Sequence, residues 1–121
     1  MNLPVNGQFA VSEPSDFALL VSTDGGFEFR IEGSMHATLG GESYDLDPGA
    51  APWGGEPARS MRGLIESAEV DDQGALRIFF GSGDMLAVPA DSDYEAWKLV
   101  GPGGYRVVSM PGGELAIWSA R

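Results

Sequence analysis

The chain has no cysteine, and it has few of the residues that catalytic and metal sites use most often. Its 121 residues include one histidine, His36, and seven Lys or Arg. The absence of cysteine excludes disulfide bonds and thiolate metal sites, and it is typical of a reducing compartment. Zinc at His36 would need carboxylate partners, an uncommon ligand set. We therefore expect no cofactor and a cytoplasmic protein.

Basic residues are scarce relative to acidic ones. Eighteen Asp and Glu oppose seven Lys and Arg, which gives a formal net charge of −11. Direct binding to nucleic acid through phosphates needs clustered cations, so we expect no nucleic-acid contact. No apolar run reaches the roughly 20 residues of a membrane span, and the first residues lack the pattern of a signal peptide. We expect no membrane association.

Composition and length predict one folded domain over residues 1–121. Hydrophobic residues make up 43% of the chain, which is enough for a core. The 18 glycines and 8 prolines are spread between short apolar runs, as turn residues of a β protein are. Nine runs of this kind predict strands: 16–21, 27–32, 35–39, 42–46, 76–80, 85–88, 95–100, 105–110 and 114–119.

The connections between these strands predict an antiparallel topology. Short turns join the last five segments, which predicts a meander, and the Pro- and Gly-rich stretch 47–57 predicts a loop. Residues 58–67 have helical apolar spacing and are predicted as the one short helix. Some strands, including 18–21 and 115–118, are apolar on both faces and need cover on both sides. The predicted fold is a mainly β antiparallel meander, curled into a half-barrel or compact sandwich.

Acidic residues are concentrated in the first half of the chain. Residues 1–56 hold nine acids and one base, whereas residues 57–121 hold nine acids and six bases. One loop-rich stretch of that half contains Glu42, Asp45, Asp47 and Trp53. We predict these four as partner-binding residues, because carboxylates steer a basic partner and aromatic residues supply stable contacts. Trp53 has an alternative role, in which it plugs the core.

Other groups of residues are weaker indicators of a metal or catalytic site. Acids alternate at Asp91, Asp93 and Glu95, but the glycine and final glutamate of a calcium loop are missing. No nucleophile elbow and no phosphate-binding loop is present. An enzyme would therefore depend on carboxylate chemistry, and we predict no catalytic residue.

The last thirty or so residues carry a family resemblance. Tyr94 to Leu99, Gly101 to Gly104 and Pro111 to Trp118, together with the hairpin at 72–76, resemble a family of small, uncharacterised actinobacterial proteins. The size, acidity and β-rich pattern also resemble the immunity proteins of bacterial toxin systems. The first resemblance implies a self-contained domain, and the second implies binding to a toxin domain.

We therefore expect a non-enzymatic, acidic protein-interaction domain that binds a basic protein. The alternative is a small-molecule binding module with its ligand in a curled sheet. A homodimer is compatible with either function, since an open sheet edge can pair across a twofold axis.

Overall fold

The computed structural model describes residues 1–50, 53 and 55–119. Eleven strands and one short helix are formed within these residues. The strands are β1 (Phe9–Ser15), β2 (Ala18–Thr23), β3 (Glu28–Ile31), β4 (Met35–Leu39), β5 (Glu42–Leu46), β6 (Arg62–Val70), β7 (Leu76–Phe80), β8 (Met85–Val88), β9 (Trp97–Val100), β10 (Arg106–Ser109) and β11 (Leu115–Trp118). The helix α1 is Glu56–Arg59, and 3₁₀ turns occur at Pro102–Gly104 and Pro111–Gly113.

All eleven strands belong to one antiparallel sheet, in the order β11-β10-β9-β3-β2-β1-β6-β7-β8-β4-β5. The sheet does not close into a barrel, because β11 and β5 remain at its two ends. The prediction of a mainly β, antiparallel fold with one short helix is confirmed. The predicted meander of the last five segments is wrong at one point. The consecutive strands β8 and β9 do not pair with each other: β8 pairs with β4, and β9 pairs with β3.

The long strand β6 joins two parts of the sheet. Its first residues pair with β1, and its remaining residues pair with β7. We call β1, β2, β3, β9, β10 and β11 the six-strand half, and β4, β5, β7 and β8 the four-strand half. The register shifts between Ile65 and Ser67, where Glu66 is the extra residue of a bulge. Such a bulge bends the strand, and here it lies where the sheet passes from one half to the other.

The bulge also explains why the predicted helix at 58–67 is wrong. Only Glu56–Arg59 is helical, and the residues from Arg62 onward are in β6. Ile65 and Ala68 are both buried although they are three residues apart, because the bulge changes which face the strand presents to the core. Together with buried Met61, which directly precedes β6, they have the spacing of buried residues in a helix.

Strand β1 was not predicted, because its buried and exposed residues reverse the usual pattern. Phe9 and Val11 are exposed, whereas Ser12 is buried. The Ser12 hydroxyl donates to the Ala58 carbonyl over 2.8 Å and accepts from the Met61 amide over 3.2 Å. These bonds satisfy a buried polar side chain and attach α1 to β1.

Both halves of the sheet contribute to one core. Buried residues of the six-strand half, such as Phe29 and Leu99, belong to the same cluster as Ile78 and Leu86 of the four-strand half. The two halves therefore share one packed core. Among the described residues, no helix has both the length and the apolar character needed to cross a membrane.

Candidate functional site

A cavity of about 750 Å³ lies where two connections pass between the halves of the sheet. The connection from β3 to β4 contains Glu32, Gly33 and Ser34, and the connection from β8 to β9 contains Asp91, Tyr94 and Glu95. All six residues line the cavity. The cavity therefore forms where the chain leaves the order of a simple meander. We call it the crossover cleft.

Backbone hydrogen bonds hold the two connections together. The amides of Glu32 and Gly33 both donate to the carbonyl of Ala96, over 2.9 and 2.8 Å. A Cβ on Gly33 would lie 3.0 Å from the Cβ of Ala96, a tight contact, so glycine permits this close approach without a shift of Ala96. The amide of Gly112 donates to the carbonyl of Asp91 over 2.7 Å, which attaches the β10–β11 turn to the same wall.

The cleft combines carboxylates with exposed apolar surface. Four acids line it, and none of the described lining residues is basic: Glu32, Asp47, Asp91 and Glu95. Three large apolar or aromatic side chains accompany them, with exposed fractions of 71% for Phe17, 61% for Tyr94 and 36% for Met110. A surface of this kind is complementary to a group that carries positive charge on an apolar stem.

The four carboxylates have different local roles. One oxygen of Asp91 accepts the amides of Asp93 over 2.7 Å and Tyr94 over 3.3 Å, so this side chain shapes its own loop. Asp47 accepts the amide of Gly49 over 2.9 Å in the same way. Glu32 lies 3.2 Å from the Nε of Arg30 and is half-exposed, so this ion pair contributes little stability. All four side chains keep oxygen atoms that can accept further hydrogen bonds.

Phe17 is the most unusual residue of the cleft. It lies in the two-residue connection between β1 and β2 and has a φ of 64°, the only positive φ among described residues other than glycine. A bulky side chain in this region is a conformational outlier. The side chain remains 71% exposed, so burial does not offset the strain. Exposed strain of this kind is a feature of functional positions.

The structure brings three of the four predicted site residues to this end of the sheet. Asp47 lines the crossover cleft. Asp45 lines a smaller hollow that also includes Asp47, and Trp53 lines another that also includes Phe17. Glu42 starts β5, five residues from Asp47, or about 16 Å along an extended strand. Glu42 therefore does not join the cleft.

Hydrogen bonds engage the predicted residues outside the cleft. The carboxylate of Asp45 lies 2.9 Å from Nδ1 of His36 across the β4–β5 pair, with both side chains exposed. The Tyr44 hydroxyl donates to Glu42 over 2.8 Å, and this bond raises the pKa of Tyr44. Both contacts are exposed to solvent and lie within the edge hairpin, so they contribute little stability.

Trp53 is half-buried and packs against the core, as in its alternative role as a plug. Its indole N–H donates to the carbonyl of Ser15 over 2.6 Å, which ties the loop to the end of β1. Other positions of the predicted loop 47–57, namely 51, 52 and 54, lie outside the described residues. Trp53 therefore lines the hollow beside Phe17 while it packs against the core.

Sequence reasoning missed most residues of the cleft. The sequence predicts Phe17 within the strand 16–21 and Glu32 within the strand 27–32, and it predicts neither as a site residue. Tyr94 and Glu95 begin the segment that carries the family resemblance, and Glu95 is one of the acids weighed for calcium, but the sequence predicts neither as a partner-binding residue. Within the described part of the chain, no group of three or more His, Asp or Glu side chains is placed to hold a metal ion. The missed signal was the length of the 89–96 connection, which is too long for a tight hairpin.

Comparison with known proteins assigns the chain to a family. The sequence model of a family described as "Family of unknown function (DUF6188)" matches residues 1–119. The chain belongs to the DUF6188 family. The expectation of a family of unknown function is confirmed, and the match covers nearly the whole chain, not only the last thirty or so residues and the 72–76 hairpin. No curated protein and no solved structure matches the chain.

Membership of DUF6188 assigns no activity and no site residue. The match includes every lining residue of the crossover cleft, since it covers residues 1–119. The cleft is therefore built entirely from the DUF6188 domain.

Proposed function

We propose that this protein is a non-enzymatic interaction domain that binds a basic protein partner in the crossover cleft. The observation that carries the proposal is the lining of the cleft. Four carboxylates surround exposed Phe17, Tyr94 and Met110, and no described lining residue is basic. A Lys or Arg side chain matches both features, because its stem is apolar and its end is cationic.

Charge acts at two distances in this proposal. The net charge of −11 accelerates the encounter with a cationic partner over the range of the Debye length, about 8 Å at physiological salt. The short-range contacts then come from aromatic and aliphatic anchors in the cleft. The encounter rate should fall as salt rises, whereas the apolar contacts should persist.

The class of partner follows from the acidic surface and from resemblance. Immunity proteins of bacterial toxin systems are often acidic and bind a toxin domain, and we propose a basic toxin domain as one such partner. In this proposal the chain is actinobacterial and cytoplasmic. Its mechanism would be occlusion, in which the bound chain covers the partner's working surface.

The test is affinity capture from lysate of the native source, at low and at high salt, with mass-spectrometric identification. The proposal expects one stoichiometric basic protein that elutes as the salt concentration rises. Failure to capture a basic protein at either salt concentration would contradict the proposal. If an unrelated acidic protein of the same net charge captured the same partner equally well, that result would also contradict the proposal.

A small-molecule module is the second candidate, and the volume of the cleft favours it. About 750 Å³ is within the range of ligand sites, roughly 300–1,000 Å³. The ligand would occupy the crossover cleft, because the two sheet halves share one packed core. A cationic metabolite that raises the melting temperature would support this function, since a ligand that binds only the native state stabilises it.

A further inference from the structure

The strand β11 forms one edge of the sheet and is apolar throughout. Its four residues are Leu115, Ala116, Ile117 and Trp118, and no described residue pairs with its outer side. Ile117 and Trp118 point to opposite faces by strand alternation, yet each is 51% exposed. Edge strands usually carry charge or proline that prevents pairing with another chain. This edge carries neither.

The opposite edge of the sheet is protected in the expected way. Strand β5 carries exposed Glu42 and Asp45, so two copies of this edge would place like charges against each other. The two edges of one sheet are therefore unlike, and only β11 is suited to pairing with its own copy.

The hairpin that precedes β11 determines which backbone groups face outward. The amide of Met110 donates to the carbonyl of Glu114 over 2.8 Å. Hydrogen-bonded pairs alternate along an antiparallel ladder, so Ala116 bonds inward to Val108. The N–H and C=O groups of Leu115 and Ile117 consequently point away from the sheet, where no described strand pairs with them, and they can bond a second strand.

We propose that β11 pairs antiparallel with β11 of a second copy, across a twofold axis at Ala116. A twofold axis perpendicular to the sheet pairs each residue with a residue whose side chain points to the same face. The axis therefore lies midway between one residue and the same residue of the second copy. This register places Leu115 opposite Ile117 of the second copy, and the reverse. Each pair exchanges two backbone hydrogen bonds, and the exposed side chains of β11 become covered.

Charge complementarity selects this register. Trp118 would lie opposite Glu114 of the second copy, while Arg106 lies on the other side of Trp118 within its own chain. The guanidinium carbon of Arg106 is 5.8 Å from the centroid of the Trp118 ring. Opposite charges thus flank each indole. An axis at Ile117 would place Ala116 opposite Trp118 and would bring no opposite charge to the Arg106–Trp118 pair.

Cysteine crosslinking tests the register directly, because the native chain has no cysteine. In the proposed dimer the two Ala116 residues form a pair without mutual hydrogen bonds, with a Cα separation of about 4.5 Å, which a disulfide can span. We expect Ala116→Cys to form a disulfide dimer on mild oxidation at least about tenfold faster than Ile117→Cys. Equal rates, faster crosslinking at Ile117, or no crosslinking would overturn the proposal.

A pair of lysine variants tests the interface without cysteine. Ile117→Lys places a charge on the edge and should yield a monomer, whereas Leu64→Lys should remain dimeric. Leu64 is the matched control because it is similarly exposed, at 57%, but lies on β6 inside the sheet. Sedimentation at about 0.15 M salt, which screens the repulsion between two acidic chains, gives the oligomeric state.

Sedimentation can overturn the proposed dimer in two ways. A native chain that stays monomeric at every concentration would overturn the proposal, as would an Ile117→Lys variant that is folded by circular dichroism and still dimeric. The inference does not depend on the crossover cleft, so the partner experiment and this one can fail separately.

Discussion

The indole Nε1 of Trp97 donates a hydrogen bond to the carbonyl oxygen of Gly74 over 3.1 Å. Trp97 begins β9 in the six-strand half, and Gly74 lies in the turn before β7 of the four-strand half. The bond is buried and links the two halves beyond their apolar packing. The Ser109 hydroxyl donates to the same carbonyl over 3.4 Å. One carbonyl group therefore receives two buried donors from neighbouring strands.

Removal of the indole donor should destabilise the fold. We expect Trp97→Phe to lower the free energy of unfolding by about 2–4 kcal/mol, since the change removes buried volume and one hydrogen bond. Tyr94→Phe is the control, because Tyr94 is exposed and lies outside the core, and it should cost less than about 1 kcal/mol. Urea denaturation followed by circular dichroism measures both. If both variants lost the same free energy of unfolding, the proposed contribution of the buried Trp97 indole would be contradicted.

The backbone at Gly74 should tolerate no side chain. Gly74 has a φ of +84°, and a Cβ would collide with the backbone of Gly113. Gly83 has a φ of +97° but no atom near its missing Cβ. We expect Gly83→Ala to cost about 1–2 kcal/mol for the backbone conformation alone, and Gly74→Ala to cost clearly more. Thermal unfolding compares the two variants, and the same shift in melting temperature for both would contradict the packing argument.

Phe17 should reduce stability while it supports binding. Phe17→Gly relieves a positive φ at an exposed position, so we expect the free energy of unfolding to be unchanged or to rise by up to about 1 kcal/mol. Phe17→Ala keeps the strained backbone and should show no such gain. Both variants should bind the captured partner more weakly. A Phe17→Gly variant that is strongly destabilised, or that binds normally, would contradict this role.

Asp71 should make stability depend on acidic pH. Backbone hydrogen bonds from Ala75, over 3.0 Å, and from Gln73, over 2.9 Å, lower the pKa of its carboxyl group. Because the folded-state pKa is below the unfolded one, the contribution to stability is complete above the unfolded value. It is lost as pH falls through the folded value, below the usual 3.8.

The matched variant for this effect is Asp71→Asn, which keeps an oxygen acceptor but has no charge. Its free energy of unfolding should be lower than that of the native chain at pH 7, and the difference should shrink as pH falls below about 4. Urea titrations between pH 2 and pH 7 measure this difference. If the difference in the free energy of unfolding between the native chain and Asp71→Asn did not change with pH, the proposed role of the Asp71 carboxylate would be contradicted.

Local patterns predicted most of the strands but not how they are arranged. Alternation around Phe29 and Ile78 identified β3 and β7, because one face of each strand is buried. The interleaving of β3 with β9 depends on long-range packing, which turn residues do not encode. The bulge at Glu66 made a strand look helical. The sequence predicts Phe17 within the strand 16–21, whereas the chain turns at this residue, with a positive φ, and leaves its side chain exposed.

Two variants with equal loss of charge separate the cleft from general acidity. The cleft variant combines Glu32→Gln, Asp47→Asn and Glu95→Gln, and it keeps Asp91, which holds its loop. The asparagine at 47 retains the oxygen that accepts the Gly49 amide. Each substitution removes one negative charge and nearly preserves side-chain volume.

The control variant combines Glu66→Gln, Glu69→Gln and Asp72→Asn. These three residues are exposed, and none of them lines the cleft. Both variants therefore have the same net charge and should lose long-range steering to a similar extent.

The decisive measurement is the Kd of the captured basic partner for the native chain and for these two variants at physiological salt. If the crossover cleft is the docking site, the cleft variant should bind at least about tenfold more weakly than the control variant, a loss of about 1.4 kcal/mol. The same Kd for both variants would show that overall charge, and not the cleft, governs binding, and would contradict the proposed function.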